Sequence, residues 1–267
     1  MESETFDNPK QGTDVSGSAG ASVSVITGAS AGIGAALAKM LTDDEHSVSA
    51  VARRKQRLAA IETATDLFCG CAADVRDADA IAAAVATGHD RFGPIDVAIL
   101  NAGIYVPQDG KHIEPGVYAD HMNINYMGVV NALAAVVPQM LAAGRGHIIL
   151  ISSVAGWRGL PKAAAYGPTK AALISLAESL YFDLTPKNIK IQVICPGFVD
   201  TEATAVNDFD MPDLMSAETA AQHIIKSMNS DMFLVSFPKS FTRKMKFLKY
   251  LPDRLYFSLV GKQTGAI

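Results

Sequence analysis

The stretch VSVITGASAGIGAALAKML, residues 23–41, limits the fold of this chain more than any other segment. Its apolar start predicts a strand, its glycine-rich middle a turn, and its alanine-rich end a helix. Gly28, Gly32 and Gly34 allow a tight turn and a close approach of the backbone to negative charge at a helix start. Glycine clusters can also be simple turns, but directly after a strand this pattern is typical of a dinucleotide-binding sheet. Around these glycines we expect Thr27 to hold the turn. Ser30 and Ile33 should line the cofactor.

The end of the second predicted strand, SVSAVARR, bears on which nicotinamide cofactor would bind. An NAD-binding chain commonly has an acidic residue there, about 20 residues after the glycines, which accepts hydrogen bonds from the ribose. This chain has Arg53 and Arg54 instead, and a guanidinium attracts the 2′-phosphate of NADP. The sequence therefore favours NADP(H), with NAD(H) as the alternative. In another interpretation, both arginines only begin a solvated helix, RRKQRLAAIE.

A serine, a tyrosine and a lysine in the segment SVAGWRGLPKAAAYGPTK form a candidate catalytic group. Tyr166 and Lys170 are four residues apart in a predicted helix, so they share one face. An ammonium beside a phenol favours the phenolate, and we expect the pKa of Tyr166 to fall from its usual value of about 10. Ser153 comes at the end of the apolar run HIILIS, a predicted buried strand, so its hydroxyl could reach the same substrate oxygen. Alone, Tyr-x-x-x-Lys also occurs on solvated helix faces.

Together, TGxxxGxG, the serine at the strand end and Tyr-x-x-x-Lys resemble the short-chain dehydrogenase/reductase family. The resemblance covers residues 22–237 and implies a Rossmann-type doubly wound α/β fold, with about seven parallel strands and helices on both faces. It also implies a dinucleotide beyond the carboxyl ends of the strands and hydride transfer at its nicotinamide. Tyr166 would then transfer the proton, Ser153 would bind the substrate oxygen, and Lys170 would bind the nicotinamide ribose.

Further residues match the motifs of this family, in the same order along the chain. Asp74 and Val75 occupy the place of an adenine contact, although Asp74 could instead cap the next helix. The NAG signature is matched by Asn101, Ala102 and Gly103, and a turn is the alternative there. The family pattern PGxVxT is matched by PGFVDT, which implies four more cofactor contacts: Pro196, Gly197, Val199 and Thr201.

An asparagine inside the predicted helix NINYMGVVNALAAVVPQML needs a reason, because asparagine is a poor helix former. Asn125 stands three residues before Gly128, where the resemblance implies a helical asparagine that binds a water linking Lys170 to solvent. Asn123 is the competing position. We therefore include Asn125 in the predicted catalytic group.

Composition agrees with one large α/β domain. The chain has 267 residues, of which 49% are apolar, and we expect a single catalytic domain over residues 22–267. Residues 1–21 are polar and carry one Phe, which predicts a disordered tail. The formal charge of −4 is small and gives no reason to expect nucleic acid as a partner.

The cysteines and the hydropathy indicate the compartment. Cys69, Cys71 and Cys195 lie in apolar runs without zinc-binding spacing, so we expect buried free thiols and no metal site. No apolar run approaches the roughly 20 residues needed to span a bilayer. The first residues also lack a basic-then-apolar signal pattern. The sequence therefore predicts a cytoplasmic protein.

The C-terminal extension, residues 237–267, is basic and aromatic. Between positions 239 and 257, six Lys and Arg residues interleave with five Phe and Tyr residues. Three interpretations remain open. The apolar side packs over the substrate cleft or a neighbouring subunit, with the lysines in water; the segment makes a peripheral membrane contact as a basic amphipathic helix; or it binds a partner protein.

The sequence thus predicts an NAD(P)-dependent oxidoreductase that interconverts a ketone or aldehyde and an alcohol. The alternatives are an NAD-linked alcohol dehydrogenase and a non-catalytic nucleotide-sensing or scaffold protein of the same fold. The resemblance implies a homodimer or homotetramer joined through the helices that hold Asn125 and Tyr166. We expect a mobile substrate loop at 207–215. An apolar substrate pocket is indicated by five residues: Trp157, Leu160, Val199, Phe209 and Met211.

Overall fold

The computed structural model describes residues 22–61, 66–207 and 210–265, so the predicted tail at 1–21 lies outside the described residues. Within them the chain forms a seven-stranded sheet in the order β3-β2-β1-β4-β5-β6-β7, and all neighbouring strands are parallel. The predicted parallel sheet is confirmed. The strands are β1 Val23–Thr27, β2 Ser47–Ala52, β3 Phe68–Ala72, β4 Val97–Leu100, β5 Gly146–Ile151, β6 Ile189–Pro196 and β7 Leu234–Phe237.

Helices cover both faces of this sheet. They are α1 Gly32–Asp43, α2 Lys55–Ile61, α3 Ala78–Phe92, α4 Pro115–His121, α5 Gly128–Ala143, α6 Tyr166–Leu184, α7 Ala217–Met228, α8 Lys239–Lys249 and α9 Asp253–Thr264. Successive strand residues point to opposite faces, so in β4 Ala98 and Leu100 join one buried cluster while Val97 and Ile99 join the other. The first cluster includes residues of α3, α5, α6 and α8, and the second includes residues of α1, α2 and α7.

One helical stretch differs from the sequence-based expectation about membrane spans. The run Pro115–Ala143 joins α4, a π-helical segment (Met122–Met127) and α5, and by length and composition it is long and apolar enough to cross a bilayer. The sequence-based expectation counted continuous apolar residues, whereas this run qualifies by its mean composition and contains polar positions. The stretch also packs inside the fold: Val136 and Met140 are fully buried between the sheet and α3, and Asn125 is fully buried as well.

The sheet topology brings the predicted site residues to one edge. Strand order reverses between β1 and β4, whose carboxyl ends therefore border a crevice. The glycine turn follows β1, Asn101 follows β4, and Ser153 lies two residues after the end of β5. Segments that are far apart in sequence thus meet at the carboxyl edge of the sheet.

The three cysteines are free thiols, as the sequence predicted. Cys69 and Cys195 are buried and Cys71 is half-buried. Burial is the main cause that raises the pKa of Cys71 and of Cys195 to about 11 each. The thiols of Cys71 and Cys195 are therefore protonated and poorly nucleophilic at neutral pH.

Candidate active site

The glycine turn brings the ends of β1 and β4 into close contact. Gly28 has a φ of +71°, and a Cβ there would lie 2.8 Å from Ala102 Cα, so only glycine fits without strain. Thr27 holds the turn as predicted, because its Oγ1 accepts the N–H groups of Asn101 (3.0 Å) and Ala102 (3.1 Å). The residue before α1 is Ala31, which offers no side-chain cap to the N–H groups of the first helical turn. These donors are therefore available to an anion at the start of α1.

Gly34 has a different role from Gly28 and Gly32. A Cβ at Gly34 would lie 2.4 Å from the carbonyl oxygen of Gly28 and 2.6 Å from Asn101 Nδ2. The missing side chain lets α1 pack directly on the turn. Gly34 does not line the cleft, although the sequence placed it among the cofactor contacts.

A large cleft is lined by the other predicted cofactor contacts. Its volume is about 1480 Å³, and it runs along the carboxyl edge of the sheet. Its wall contains Gly28, Ser30, Gly32, Ile33, Arg53, Arg54, Asp74, Val75, Asn101, Ala102, Gly103, Tyr166, Lys170, Pro196, Gly197, Val199 and Thr201. Ser153 also lines it, whereas Asn125 lies behind the wall.

Arg54 makes an ion pair that the sequence did not predict. Its Nε donates to Ser30 Oγ (3.3 Å) and its Nη1 to Glu202 Oε2 (2.8 Å), and Glu202 also pairs with Arg57. These arginines hold the pKa of the Glu202 carboxyl below its usual value. Arg57 lies one turn after the predicted arginines, but nothing in the sequence places Glu202 opposite them. Only the tertiary structure brings the loop after β6 to the end of β2.

Asp74 lines the cleft and does not cap the next helix. Asp77 is the cap of α3, since its carboxylate accepts the N–H of Ala80 at 3.0 Å. Asp74 instead pairs with Arg76 (2.7 Å), and this hydrogen bond is the main cause that lowers its pKa. The helix-cap alternative for Asp74 is therefore excluded.

Ser153 and Tyr166 meet in the cleft wall. Ser153 Oγ accepts the N–H of Ala155 (3.1 Å), which fixes the serine at the start of a short 3₁₀ turn, Val154–Gly156. Its hydroxyl also interacts with the phenol of Tyr166, and this interaction acts to lower the pKa of Tyr166. The Tyr166 ring packs edge-on against Tyr105, with centroids 5.2 Å apart. Tyr105 lines the cleft and had no sequence signal that marked it.

Lys170 lies beside Tyr166, but the expected effect on the Tyr166 pKa is wrong for the chain by itself. Lys170 Nζ donates to the carbonyl oxygen of Ile151 (2.8 Å) and lies 5.5 Å from the Tyr166 ring centroid. Burial, opposed by the Ser153 hydrogen bond, raises the pKa of Tyr166 to about 12. Burial also lowers the pKa of Lys170 to about 8. Desolvation, which the sequence argument left out, is the largest cause of the Tyr166 shift, and the interaction that opposes it comes from Ser153 and not from Lys170.

Asn125 is buried, whereas the competing Asn123 is exposed. Asn125 Oδ1 accepts the N–H of Ile104 (2.8 Å), and its Nδ2 donates to the Ile104 carbonyl oxygen (3.0 Å) and to Thr169 Oγ1 (3.1 Å). The side chain thus ties the loop after β4 to the catalytic helix α6. It lies in the π-helical segment, a deviation that is frequent at functional sites. A water link from Asn125 to Lys170 stays a prediction.

Comparison with known proteins agrees with this arrangement. The sequence model of the short chain dehydrogenases matches residues 22–211, well over half of the chain. The chain belongs to the short-chain dehydrogenase family. An uncharacterized oxidoreductase of Myxococcus xanthus strain DK1622 is 34% identical over 236 residues, which cover 87% of this chain and 93% of that protein.

Two solved structures are similar to most of the chain. One is a short chain dehydrogenase from Burkholderia cenocepacia J2315 in complex with NADP, with a TM-score of 0.78 and 23% identity over 90% of this chain and 97% of that one. The other is a 3-ketoacyl-(acyl-carrier-protein) reductase from Brucella melitensis complexed with NADH, with a TM-score of 0.75 and 24% identity over 80% and 96% of the two chains. At these identities the likeness shows the fold.

In this short-chain dehydrogenase, the substrate side of the cleft contains only part of the predicted apolar set. Leu160, Val199 and Met211 line the cleft. Trp157 does not: it is buried beneath α8, where Lys246 Nζ lies 5.7 Å from its ring centroid. The expectation for Trp157 followed its position in the catalytic segment, but the 3₁₀ turn directs it into the core. Phe209 lies outside the described residues.

The C-terminal helices form part of the cleft wall on the side where the substrate is expected. The residues of α8 that face inward are Phe241, Met245 and Leu248, at the spacing of one helix face, and Val260 of α9 joins them in the cleft wall. We call residues 239–264, which form α8 and α9, the C-terminal hairpin. Its inner side therefore follows the first interpretation made from the sequence, packing over the cleft.

Arg158 anchors the C-terminal hairpin to the catalytic segment. Its Nη1 donates to the carbonyl oxygens of Leu248 (3.3 Å) and Lys249 (3.2 Å) at the end of α8, and to that of Leu251 (2.6 Å) just after it. Its Nη2 pairs with Asp253 (2.5 Å), and the guanidinium lies 3.8 Å from the ring centroid of Tyr256. The Tyr256 hydroxyl in turn donates to Gly159 O (2.6 Å). No local pattern marked Arg158, because the residues that its guanidinium contacts lie about ninety positions further along the chain.

Proposed function

We propose that this protein is an NADP(H)-linked oxidoreductase that interconverts an apolar ketone or aldehyde and the corresponding alcohol. The observation that carries the proposal is the presence of Ser153, Tyr166 and Lys170 in one cleft, which the glycine turn also lines. We place this activity in one catalytic domain, residues 22–267, in the cytoplasm.

The cleft residues fit a nicotinamide dinucleotide. The turn at Gly28 and Gly32 has positive φ values and no side chains, and the uncapped first turn of α1 offers N–H donors to a pyrophosphate. Asp74 and Val75 would hold the adenine end, and Pro196 and Thr201 the nicotinamide end. When bound, the nicotinamide would supply or accept the hydride. The chain's own residues would manage the proton and the substrate oxygen.

The proton-transfer group follows from the protonation states of the site. A phenol whose pKa is about 12 is protonated at neutral pH, so Tyr166 is a proton donor in the reducing direction. Ser153 and Tyr166 would both donate hydrogen bonds to the substrate carbonyl oxygen, which stabilises negative charge where it develops. Lys170, with a pKa of about 8, is mostly charged at pH 7 and would favour the phenolate left after proton transfer.

The substrate side supports an apolar carbonyl compound. Leu160, Met211, Phe241 and Met245 contribute large apolar side chains to the wall. Burying such a substrate against them would supply binding energy in proportion to its apolar area. The ketoacyl reductase among the similar structures acts on a substrate of this chemical kind by its name, which agrees with the proposal.

The preference for NADP(H) rests on Arg53 and Arg54 at the end of β2. Both line the cleft, where a 2′-phosphate would find positive charge. The alternative, an NAD-linked enzyme, is favoured by one observation: Glu202 already pairs with Arg54 and Arg57, so it competes for the same guanidinium. We therefore expect the preference between NADP(H) and NAD(H) to depend on Arg53.

Titration of the purified chain with NADPH and NADH, followed by a screen of ketones and aldehydes, tests the proposal. We expect saturable NADPH binding and oxidation of NADPH by at least one apolar carbonyl compound. Arg53→Ala should weaken NADPH binding about tenfold or more and leave NADH binding unchanged. Arg145→Ala, far from the cleft, is the matched control.

The outcomes separate the alternatives. Binding of NADPH without oxidation by any compound in a broad panel favours a nucleotide-sensing or scaffold protein. Full NADPH affinity in Arg53→Ala contradicts the NADP preference, and tighter NADH than NADPH binding by the unmodified chain supports the NAD-linked enzyme.

We also propose a homodimer or homotetramer joined through the π-helical segment with α5 and through α6. Several large apolar side chains on these elements are exposed in the single chain, including Met127 (43%), Leu141 (44%) and Phe182 (76%). Apolar side chains of this size commonly mark subunit contacts. Sedimentation of the chain should therefore show a dimer or tetramer.

A further inference from the structure

The outer side of the C-terminal hairpin exposes more apolar surface than its packing explains. Its exposed large apolar side chains are Phe247 (66%), Tyr250 (81%), Leu255 (53%), Phe257 (58%) and Leu259 (49%). We call these five residues the hairpin surface. Five such residues within thirteen positions concentrate exposed apolar area in one segment, whereas a single exposed apolar residue would need no explanation. On α9, Leu255 and Leu259 share one side and Phe257 lies on another.

This surface is separate from the side of the hairpin that packs on the protein. Phe241 and Met245 of α8, and Tyr256 and Val260 of α9, are buried. These inner residues already cover the cleft and the core, and Arg158 fixes both helices through the end of α8 and the start of α9. Of the five outward residues, Phe257 also contacts the ring of Tyr256. Their exposed area is not used to hold the hairpin on the protein and is available to a partner.

Charge identifies the partner. Residues 239–264 carry seven Lys and Arg residues and one acidic residue, Asp253, which gives a formal charge of +6. All seven basic side chains are exposed, and Asp253 is paired with Arg158. The whole chain carries −4, so the remainder of the sequence carries −10. Positive charge in an otherwise acidic protein is thus concentrated around the exposed aromatic residues.

We propose that the hairpin surface docks on an anionic lipid bilayer. Aromatic and leucine side chains enter the boundary between head groups and acyl chains, while neighbouring lysines and arginines bind anionic head groups. A second copy of this chain is a poorer partner, because a two-fold contact would place +6 against +6. The remaining acidic surface would be repelled by the same membrane, which orients the protein with the hairpin toward the lipid.

Docking would also place the substrate cleft next to the lipid. The residues on the inner side of the hairpin, Phe241, Met245, Leu248 and Val260, line the cleft. A bilayer on the outer side is therefore one helix layer away from the substrate wall. The docking proposal itself does not depend on the proposed oxidoreductase activity, because lipid binding is measured without cofactor or substrate.

Cosedimentation of the full chain with vesicles tests the proposal. One set of vesicles contains phosphatidylcholine alone, and the other contains phosphatidylcholine mixed with phosphatidylglycerol. We expect binding to the mixed vesicles that weakens as salt is added, and little binding to the neutral vesicles. Arg243→Glu/Lys244→Glu should weaken binding to the mixed vesicles at least about twentyfold, since each basic residue near the surface contributes about 1 kcal/mol.

Two matched controls exclude simpler explanations. Lys187→Glu/Lys226→Glu changes the net charge equally but lies outside the hairpin, so it should retain most of the binding. Phe247→Ser/Tyr250→Ser should lose binding, whereas Met232→Ser, which alters an exposed apolar residue just before β7, should retain it. Thermal unfolding of each variant checks that it is folded.

The proposal is overturned if the chain binds neutral and anionic vesicles equally or not at all, or if the two charge-reversal variants lose binding to the same extent. It is also overturned if Phe247→Ser/Tyr250→Ser leaves vesicle binding intact but abolishes an oligomer or a complex with an acidic protein. That result would assign the surface to a protein partner.

Discussion

The cofactor wall and the substrate wall of the cleft are built in different ways. At the glycine turn the wall is backbone: Gly28 and Gly34 bring β1, α1 and the end of β4 so close that a single Cβ would collide with main-chain atoms. At the other end the wall consists of side chains on the C-terminal hairpin, whose two helices are fixed by one cation, Arg158. A change in the first wall would distort the sheet. The second wall depends on side-chain contacts, and substitution of Arg158 alone would remove several of them. Loops and terminal segments tolerate change better than a strand end. The side-chain wall could therefore change its substrate preference without disturbing the backbone wall.

The proposed catalytic residues lie between these walls, and the largest effect is expected there. Tyr166→Phe removes the proton donor but keeps the ring packed against Tyr105. Turnover should fall about 10²–10⁴-fold, the usual contribution of positioned proton transfer. NADPH affinity should change little, because the glycine turn is untouched. Steady-state kinetics and cofactor titration measure both, and wild-type turnover in this variant would show that Tyr166 is not the donor.

The second prediction concerns the cost of burying Lys170 at the junction of the two walls. Its pKa is lowered from 10.5 in the unfolded chain to about 8. The raised pKa values of Cys71, Cys195 and Tyr166 make the stability fall as the pH rises, in the wild type and in Lys170→Met alike. Lys170 acts in the opposite direction: between its two pKa values the unfolded state binds more protons, so its contribution to the stability of the wild type should rise with pH from about 8 to 10.5. Lys170→Met has no such titration. The difference in unfolding free energy, variant minus wild type, should therefore fall by about 3 kcal/mol over this window.

Denaturant unfolding of both proteins at several pH values measures this difference. A difference that is independent of pH would mean that Lys170 titrates normally. Lys170→Met should also lose turnover at every pH, which links the stability cost of the buried ammonium to its use in the site.

The third prediction tests the backbone wall. Gly34→Ala places a methyl group 2.4 Å from the Gly28 carbonyl oxygen, so the turn or α1 must move. We expect a loss of about 3 kcal/mol of stability, at the upper end of overpacking effects, together with loss of cofactor binding. Gly116→Ala is the matched control, because a Cβ there meets no atom within 4 Å. If both variants are equally stable, the turn is more adaptable than the structure indicates.

The smallest effect is expected at the side-chain wall. Arg158→Ala removes the donors that hold the end of α8, but water can reach the freed carbonyl groups, so we expect a loss of about 2 kcal/mol. The loss should concentrate in the hairpin. Proteolysis and hydrogen exchange should increase within residues 239–264, and KM for apolar substrates should rise while NADPH affinity is retained. The protein has one tryptophan, Trp157, whose fluorescence reports the packing of α8.

Arg145→Ala is the control for this variant, since it also removes an arginine paired with a carboxylate, Asp96, but at an exposed site. Its effect should stay below about 1 kcal/mol. If Arg158→Ala and Arg145→Ala behave alike, Arg158 does not anchor the hairpin, and the two walls differ less than we infer.

The sequence by itself determined the elements and their order. The glycine turn and the helix that carries Tyr166 and Lys170 follow from local patterns, because each depends on residues within a few positions of one another. The seven parallel strands were implied by the resemblance to the family, and the sheet has them. Even the carboxyl edge as the location of the site follows from parallel topology.

Only the tertiary structure decided what depends on burial or on distant partners. The pKa of Tyr166 rises instead of falling, because desolvation depends on the atoms that surround the phenol. Trp157 turns into the core, Asn125 binds the backbone of Ile104, and Glu202 faces Arg54 across the cleft. Arg158 finds its partners in the C-terminal hairpin. Packing in three dimensions set these contacts, and local sequence carries no record of which distant residue will stand opposite.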